Sequence, residues 1–199
     1  MPRVTQAHVD ARHRQILTAA HRCFARRGLH ATTIQEIADE AGLSAGALYR
    51  YFDGKEALIE AIADWGRKIK QEALEELSDG GGTEALAQAV EAIIEPLEAD
   101  SSETEAALRL DIRLWGEALD QPAIRRLFRQ QMDALKDPIV TFVRSERKAG
   151  RIRREVDPEA VAETVVALLV GLELQKAFDP ELDVARYART IGSLLRSLG

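Results

Sequence analysis

GLSAGALYRYF, Gly42 to Phe52, is the stretch whose reading decides the fold. Its first five residues fit G-x-S-x-G, the pattern of a hydrolase nucleophile elbow, in which a serine sits on a sharp turn between a strand and a helix. Nothing upstream supplies the strand. IQEIADEA, residues 34–41, places Ile34, Ile37, Ala38 and Ala41 at helical spacing. What remains is a turn between two helices. Ala38, Gly42 and Leu48 then fill the three positions that a helix-turn-helix constrains. These are a small residue where the helices touch, a residue that tolerates positive φ at the turn, and an apolar anchor on the second helix. Leu43 and Phe52 pack near that anchor. A unit of this kind lays its second helix in the DNA major groove with its first turn facing base edges. A plain helical hairpin would satisfy the same three positions, so charge has to separate the two readings.

The net charge of −6 argues against nucleic acid, but its distribution argues for it. Residues 1–55 carry eight Arg and Lys against five acids, a net of +3, and all four histidines (His8, His13, His21, His30). The remainder carries 19 bases and 28 acids, a net of −9. A basic head on an acidic body suits contact with a polyanion at one end only.

Outward from the turn, helical periodicity continues with clear start and stop signals. The first helix covers about 10–27, with Ile16, Ala20, Cys23 and Phe24 on one face, and stops at Gly28. Thr33-x-x-Glu36 is a capping box that opens a helix over about 33–41. Ser44 caps the next, about 44–51, and Asp53 with Glu56 opens a fourth that runs to about Leu77. SDGGGT, residues 78–83, reads as a flexible linker. Further helices are expected over about 83–98, 102–119, 122–149, 158–178 and 183–198. Pro122 and Pro158 suit first turns, while Pro138 should bend or divide the seventh helix. The expectation is an all-α chain of about nine helices, with a three-helix unit over 1–58 and a helical bundle over 59–199.

With 46% hydrophobic residues the chain can bury a sizeable core. No apolar run approaches the roughly 18 residues of a membrane span. The longest, Val165–Leu172, ends at Glu173. The polar start does not resemble a signal peptide, and one cysteine excludes an internal disulfide. A cytoplasmic setting without a membrane partner is expected.

ILTAAHRCFARRGLHATTIQEIADEAGLSAGALYRYFDGKEAL, Ile16 to Leu58, resembles the DNA-binding domain of the TetR family of bacterial transcriptional regulators. The A-A-x-x-x-F-x-x-x-G helix, the T-T-I-x-x-I-A pair and the L-Y-x-x-F-x-x-K-E-x-L finish carry the likeness. RLWGEALDQPAIRRLF (113–128) and AGRIRREVDPEAVAETVVALLVGLELQ (149–175) resemble, less tightly, the ligand-binding and dimerisation domain of one branch of that family.

The resemblance implies where DNA is touched. Thr33 grips phosphate at the start of the second helix, and Gln35 one turn in reaches a base edge. Ser44, Ala45, Gly46 and Ala47 open the recognition helix. Tyr49, Arg50 and Tyr51 flank it, and Lys55 supplies a phosphate cation. Ala45 stands where many relatives carry a long or polar residue or a proline, and Tyr51 where many carry histidine. Few base-edge hydrogen bonds are then expected, leaving Gln35, Tyr49, Arg50 and DNA shape to set specificity. Arg3, Arg12 and Arg14 read either as an arm toward phosphate or as an ordinary solvated terminus. Cys23 reads as core rather than as a redox sensor. The histidines show no ligand spacing, so neither metal nor cofactor is expected.

In the body, the resemblance implies a twofold four-helix interface from helices eight and nine. Ala160, Thr164, Ala167, Gly171 and Gln175 would face Tyr187, Ile191, Leu194 and Leu198; the alternative is plain core. It also implies an effector cavity among helices four to seven, with Trp65, Ile93, Leu97, Leu108, Asp111, Ile112, Trp115, Phe128, Met132, Leu135 and Phe142 as candidate walls. The sixth helix has a central stripe of Leu108, Ile112, Trp115 and Leu119, widened by Ala107, Leu114 and Ala118, with Arg109, Arg113 and Glu117 opposite. Asp111 falls inside the stripe and needs a partner, either an arginine such as Arg129 or a cationic or hydrogen-bonding ligand. The expected function is a dimeric repressor released from a near-palindromic operator by a small molecule, with the fourth helix as lever. The competing readings are an effector-free DNA-binding protein and an enzyme with a DNA-binding head. For the enzyme no catalytic constellation is found.

Overall fold

The computed structural model describes residues 6–75, 77, 81–99 and 101–199; Arg3 and the start of the glycine run, Ser78, Asp79 and Gly80, lie outside them. Among the described residues there are nine α-helices and no strand. They are α1 (Gln6–Ala31), α2 (Ile34–Glu40), α3 (Ala45–Leu48), α4 (Lys55–Glu75), α5 (Gly82–Ile94), α6 (Ser102–Asp120), α7 (Pro122–Lys148), α8 (Pro158–Phe178) and α9 (Val184–Arg196).

Two apolar cores result. The trunk core joins Leu86, Val90 and Ile94 of α5, Ile139 and Val143 of α7, Val165, Leu169 and Leu172 of α8, and Ile191 and Leu195 of α9. The head core joins Ile16, Ala20 and Phe24 of α1 to Ile37, Ala38, Leu48, Leu58 and Ile62. It also takes Leu110 and Ala118 from α6 and Ile124 from α7. A short three-helix head has too little volume to bury its own apolar surface, and α6 completes it. This gives α6 two buried faces. Leu119, expected in the central buried stripe, is 75% exposed, because the helix turns its Leu114 and Ala118 edge, with Leu110, toward the head.

Polar contacts follow the same seam. Arg22 pairs with Glu103 at 2.7 Å, and His30 Nε2 lies 3.0 Å from Glu117 Oε2. At Gly28 the helical path of α1 breaks, with φ 79° and ψ 169°. A Cβ there would lie 2.9 Å from the Arg113 guanidinium, so glycine serves both the backbone conformation and the close approach of α6.

Three boundaries differ from expectation. The α-helical part of α5 stops at Ile94 and tightens into a 3-10 turn, Glu95–Glu98, where Pro96 has no N–H to give. Pro138 does not divide α7, which runs unbroken from Pro122 to Lys148. Leu135, Ile139, Phe142 and Val143 on both sides of it are all buried in the trunk core and hold the halves in line. At the end of the expected linker, Gly82 is buried and begins α5.

Glu146 anchors that start. Its carboxylate, 2% exposed, accepts the Gly82 N–H at 3.0 Å and a two-pronged pair from Arg151 at 2.5 and 2.6 Å. The Arg151 hydrogen bonds hold its pKa below the usual glutamate range, against the opposing effect of burial. Because the folded pKa is depressed, the carboxylate stabilises the fold above the ordinary glutamate pKa. That contribution is lost as pH falls through the depressed value. Arg151 is half in solvent, which screens the pair, so Glu146→Ala should cost about 2 kcal/mol at pH 7. Thermal unfolding of parent and variant checks this, and the gap between them should narrow at pH 3.

Candidate nucleic-acid interface and adjoining cavity

The α2–α3 unit is built by local chemistry. Thr33 Oγ1 accepts the Glu36 N–H at 3.2 Å while Glu36 Oε2 accepts the Thr33 N–H at 2.8 Å, completing the capping box. α2 ends in a left-handed cap: Gly42 has φ 63°, its N–H donates to Asp39 O at 3.0 Å, and the Leu43 N–H donates to Ala38 O at 2.8 Å. Ser44 Oγ then accepts the Ala47 N–H at 3.2 Å and opens α3. Beyond Leu48 the chain continues in hydrogen-bonded turns, with Tyr51 N–H and Phe52 N–H both donating to Leu48 O. Ala38 and Leu48 are fully buried between the helices.

This leaves one face of the head open. Thr33, Gln35, Ser44, Gly46, Tyr49 and Arg50 are exposed, and Ala45, Ala47, Tyr51 and Lys55 are half-buried. Tyr49 is 54% exposed, a large ring open to solvent. Gln35 donates to Asp39 Oδ1 at 2.8 Å, within its own helix. Lys55 Nζ donates to Leu29 O at 2.8 Å and to Thr32 O at 3.5 Å, tying α4 to the chain after the Gly28 break and leaving one of its three donors over. His13 was not singled out in the sequence. Its ring stands edge-on to Tyr51 at 5.5 Å and tilts against Phe52 at 4.9 Å, so α1 backs the end of the second helix. Cys23 is buried, and burial pushes its thiol pKa up, which makes it an inert core residue.

Residues 16–62 match the model of bacterial regulatory proteins of the tetR family, and residues 70–199 match that of the C-terminal domain of BetI-type transcriptional repressors. The chain belongs to the TetR family. It is a DNA-binding transcriptional regulator and not an enzyme. The HTH-type transcriptional repressor Rv1474c of Mycobacterium tuberculosis is 28% identical over 91% of this chain and 91% of its own. The HTH-type transcriptional regulator BetI of Vibrio vulnificus is 28% identical over 96% of this chain and 92% of its own. Among solved structures, Salmonella enterica GusR superposes with a TM-score of 0.77 at 24% identity, covering 99% of this chain and 98% of that one. A SmeT–triclosan complex superposes with a TM-score of 0.75 at 22% identity, covering 94% and 90%. Among the described residues, no helix is long and apolar enough to cross a membrane.

In this TetR regulator a cavity of about 350 Å³ lies where head meets trunk. Its walls are Thr18, His21 and Arg22 of α1, Ile62, Ala63, Trp65, Gly66 and Lys70 of α4, Glu103, Ala106, Ala107, Asp111 and Leu114 of α6, and Gln131 of α7. A recess of about 30 Å³ shares Ala63, Asp111, Leu114 and Gln131 with it and adds Trp115 and Phe128, whose rings meet edge-on at 6.4 Å. Of the expected wall residues, Trp65 and Asp111 line the cavity, and Trp115 and Phe128 line the recess. Ile93, Leu135 and Phe142 are buried in the trunk core, with Leu97 and Met132 packed against it. Leu108 is buried and Ile112 half-buried on α6. The contribution of α1 had no signal in the sequence, because polar residues on the outside of a head helix look the same whether or not another helix covers them.

Asp111 is not matched with an arginine. The charges acting on it are Glu173 and Lys70, which pair with each other at 2.7 Å. Burial pushes the Asp111 pKa up to about 7, Glu173 adds to the shift and Lys70 opposes it. Burial would lower the Lys70 pKa, but Glu173 and Asp111 outweigh it and the net shift is upward. His21, also on the cavity wall, is pushed down by burial and by Arg22.

Because the folded pKa of Asp111 is raised, the folded chain holds a proton that the unfolded chain releases between about pH 4 and 7. Asp111 therefore lowers stability progressively across that window and by its full amount above it. Asp111→Asn should raise stability at pH 8 by about 1–3 kcal/mol and give no gain at pH 4. Denaturant unfolding at the two pH values reads the difference.

On the trunk, α8 shows an open stripe. Ala160, Thr164 and Ala167 are exposed and Gly171 is half-buried, followed by Leu174 at 38% and Phe178 at 78% exposure. Exposed Gln175 accepts the half-buried Tyr187 hydroxyl at 2.7 Å, Leu194 is 56% exposed and Leu198 half-buried. Ile191 does not join this surface. It is 2% exposed within the trunk core, because α9 turns that face inward. Leu174 and Phe178 were missed, although they continue the spacing from Gly171.

Proposed function

We propose that this regulator is a repressor that binds a near-palindromic operator as a twofold dimer and leaves it when a small molecule occupies the head–trunk region. The observation that carries the reading is the open α8 stripe, continued by Leu194 of α9, on a chain that also presents a helix-turn-helix. Apolar residues lined up on one helix face and left open to water mark a surface built for a partner. A twofold copy supplies the same residues in reverse. Pairing there sets two heads at a fixed separation, which matches half-sites one helical turn or a multiple apart.

Thr33, Ser44 and the remaining donor of Lys55 would hold phosphate. Gln35, Tyr49, Arg50 and Tyr51 would reach base edges or sugar. Ala45, Gly46 and Ala47 would let the backbone approach closely. The relative Rv1474c is named a repressor, and SmeT was solved with triclosan. Release would act through α4, which starts in the head core and runs on beside the cavity. A ligand that fits one arrangement of α1, α4 and α6 better than the other shifts the balance by that difference in affinity and by no more.

Selection from randomised duplex DNA tests this reading. An inverted repeat should emerge, and Gln35→Ala should relax one base pair in each half-site. An unstructured consensus, or an unchanged one with the variant, would count against the dimer or the Gln35 assignment respectively.

A further inference from the structure

We infer that the cavity between α1, α4 and α6 is a site for a compact apolar molecule carrying one protonated amine, with the Asp111 carboxylate as its counter-ion. Among the described residues the Asp111 carboxylate has no hydrogen-bond partner, yet no unpartnered side-chain oxygen is sealed away from space, so its oxygens open onto the void. The cation nearest to hand is already used. Lys70 Nζ is 2.7 Å from Glu173, and both side chains are largely buried. That corner therefore holds two carboxyl groups against one ammonium. A buried charge needs a partner, and a single positive charge brings the corner to balance.

The remaining walls favour an apolar body. Ile62, Ala63, Trp65, Ala106, Ala107 and Leu114 face the void. The ionic residues at the α1 side are matched already, with Arg22 on Glu103 at 2.7 Å. Burial disfavours the charged form of His21. An anion would meet the Asp111 carboxylate, while the Lys70 ammonium on the same wall is already paired with Glu173. Above about pH 7, where Asp111 is ionised, a neutral molecule would leave the surplus carboxylate unmatched. A volume of about 350 Å³ lies at the small end of ligand pockets, which selects a compact guest.

The guest would touch α1 of the head and α6 of the trunk at once, so it would bear on head orientation directly. This consequence for DNA rests on the ligand-release reading above, whereas binding itself does not.

Three probes share one body and differ in end group: 4-phenylbutylamine, 4-phenylbutan-1-ol and 4-phenylbutyrate. Each is titrated by calorimetry into the full chain at pH 8, where both the amine and Asp111 are charged. The amine should bind at least about tenfold more tightly than the alcohol or the acid. Asp111→Asn should bring it down to the level of the alcohol, and Ala107→Phe, which fills the void, should remove it. No amine binding, an equal or tighter alcohol or acid, or a preference that survives either variant would overturn the inference. The amine is then added to the operator complex. Binding with the Asp111 preference but without release leaves the site standing and removes effector release through it.

Discussion

Leu174→Asp should leave the chain folded and monomeric, and should lower its affinity for an inverted-repeat operator by at least about a hundredfold. Leu174 is 38% exposed between Gly171 and Phe178, so the new carboxylate can stay in water in the lone protomer. In a twofold pair it would be buried and would lie near its own copy, two like charges where apolar side chains should close. Loss of pairing removes the linkage between half-sites. Each head must then bind alone, without the millimolar effective concentration that its tethered twin supplies. Sedimentation at micromolar concentration reads the first effect and fluorescence anisotropy on a labelled duplex reads the second. A variant that stays dimeric would place the interface elsewhere.

Gly46→Glu should abolish operator binding, by about a hundredfold or more, with thermal stability unchanged or slightly raised. Gly46 sits in α3, and no atom lies within 4 Å of the place a Cβ would occupy. The added side chain therefore meets no steric obstacle, and replacing a helical glycine contributes up to about 1 kcal/mol of helix propensity. The cost falls entirely on the encounter with DNA, where a carboxylate would enter the face read against phosphate and base edges. Gly46→Ala is the control and should retain most of the affinity. A Gly46→Glu chain that still binds operator with parental affinity would remove α3 from the interface.

The head was legible in the sequence because its determinants are local. The Thr33–Glu36 box, the left-handed turn at Gly42 and the Leu48 anchor each act over a few residues, and each formed as its spacing implied. What depended on tertiary packing was less legible. One helical stripe was expected on α6, yet that helix serves two cores, which moved Leu119 into water. Lys70 and Glu173 come to Asp111 from α4 and α8, and no spacing within α6 could point to them. The partnership of α1 in the cavity was invisible for the same reason. On α8, apolar residues run almost all round, so composition could not say which side stays open, and small residues drew attention away from Leu174 and Phe178. On α9 the strong apolar face was visible, but part of it, Ile191 included, packs inward.

The most direct test of the whole account is the stoichiometry of binding to a selected inverted-repeat duplex, measured by sedimentation at low salt alongside a duplex carrying one half-site and a scrambled one. The account predicts two chains on the full site, much weaker binding to the half-site, and only salt-sensitive, sequence-blind binding to the scrambled duplex. One chain on the full site, or equal affinity for all three duplexes, would contradict it.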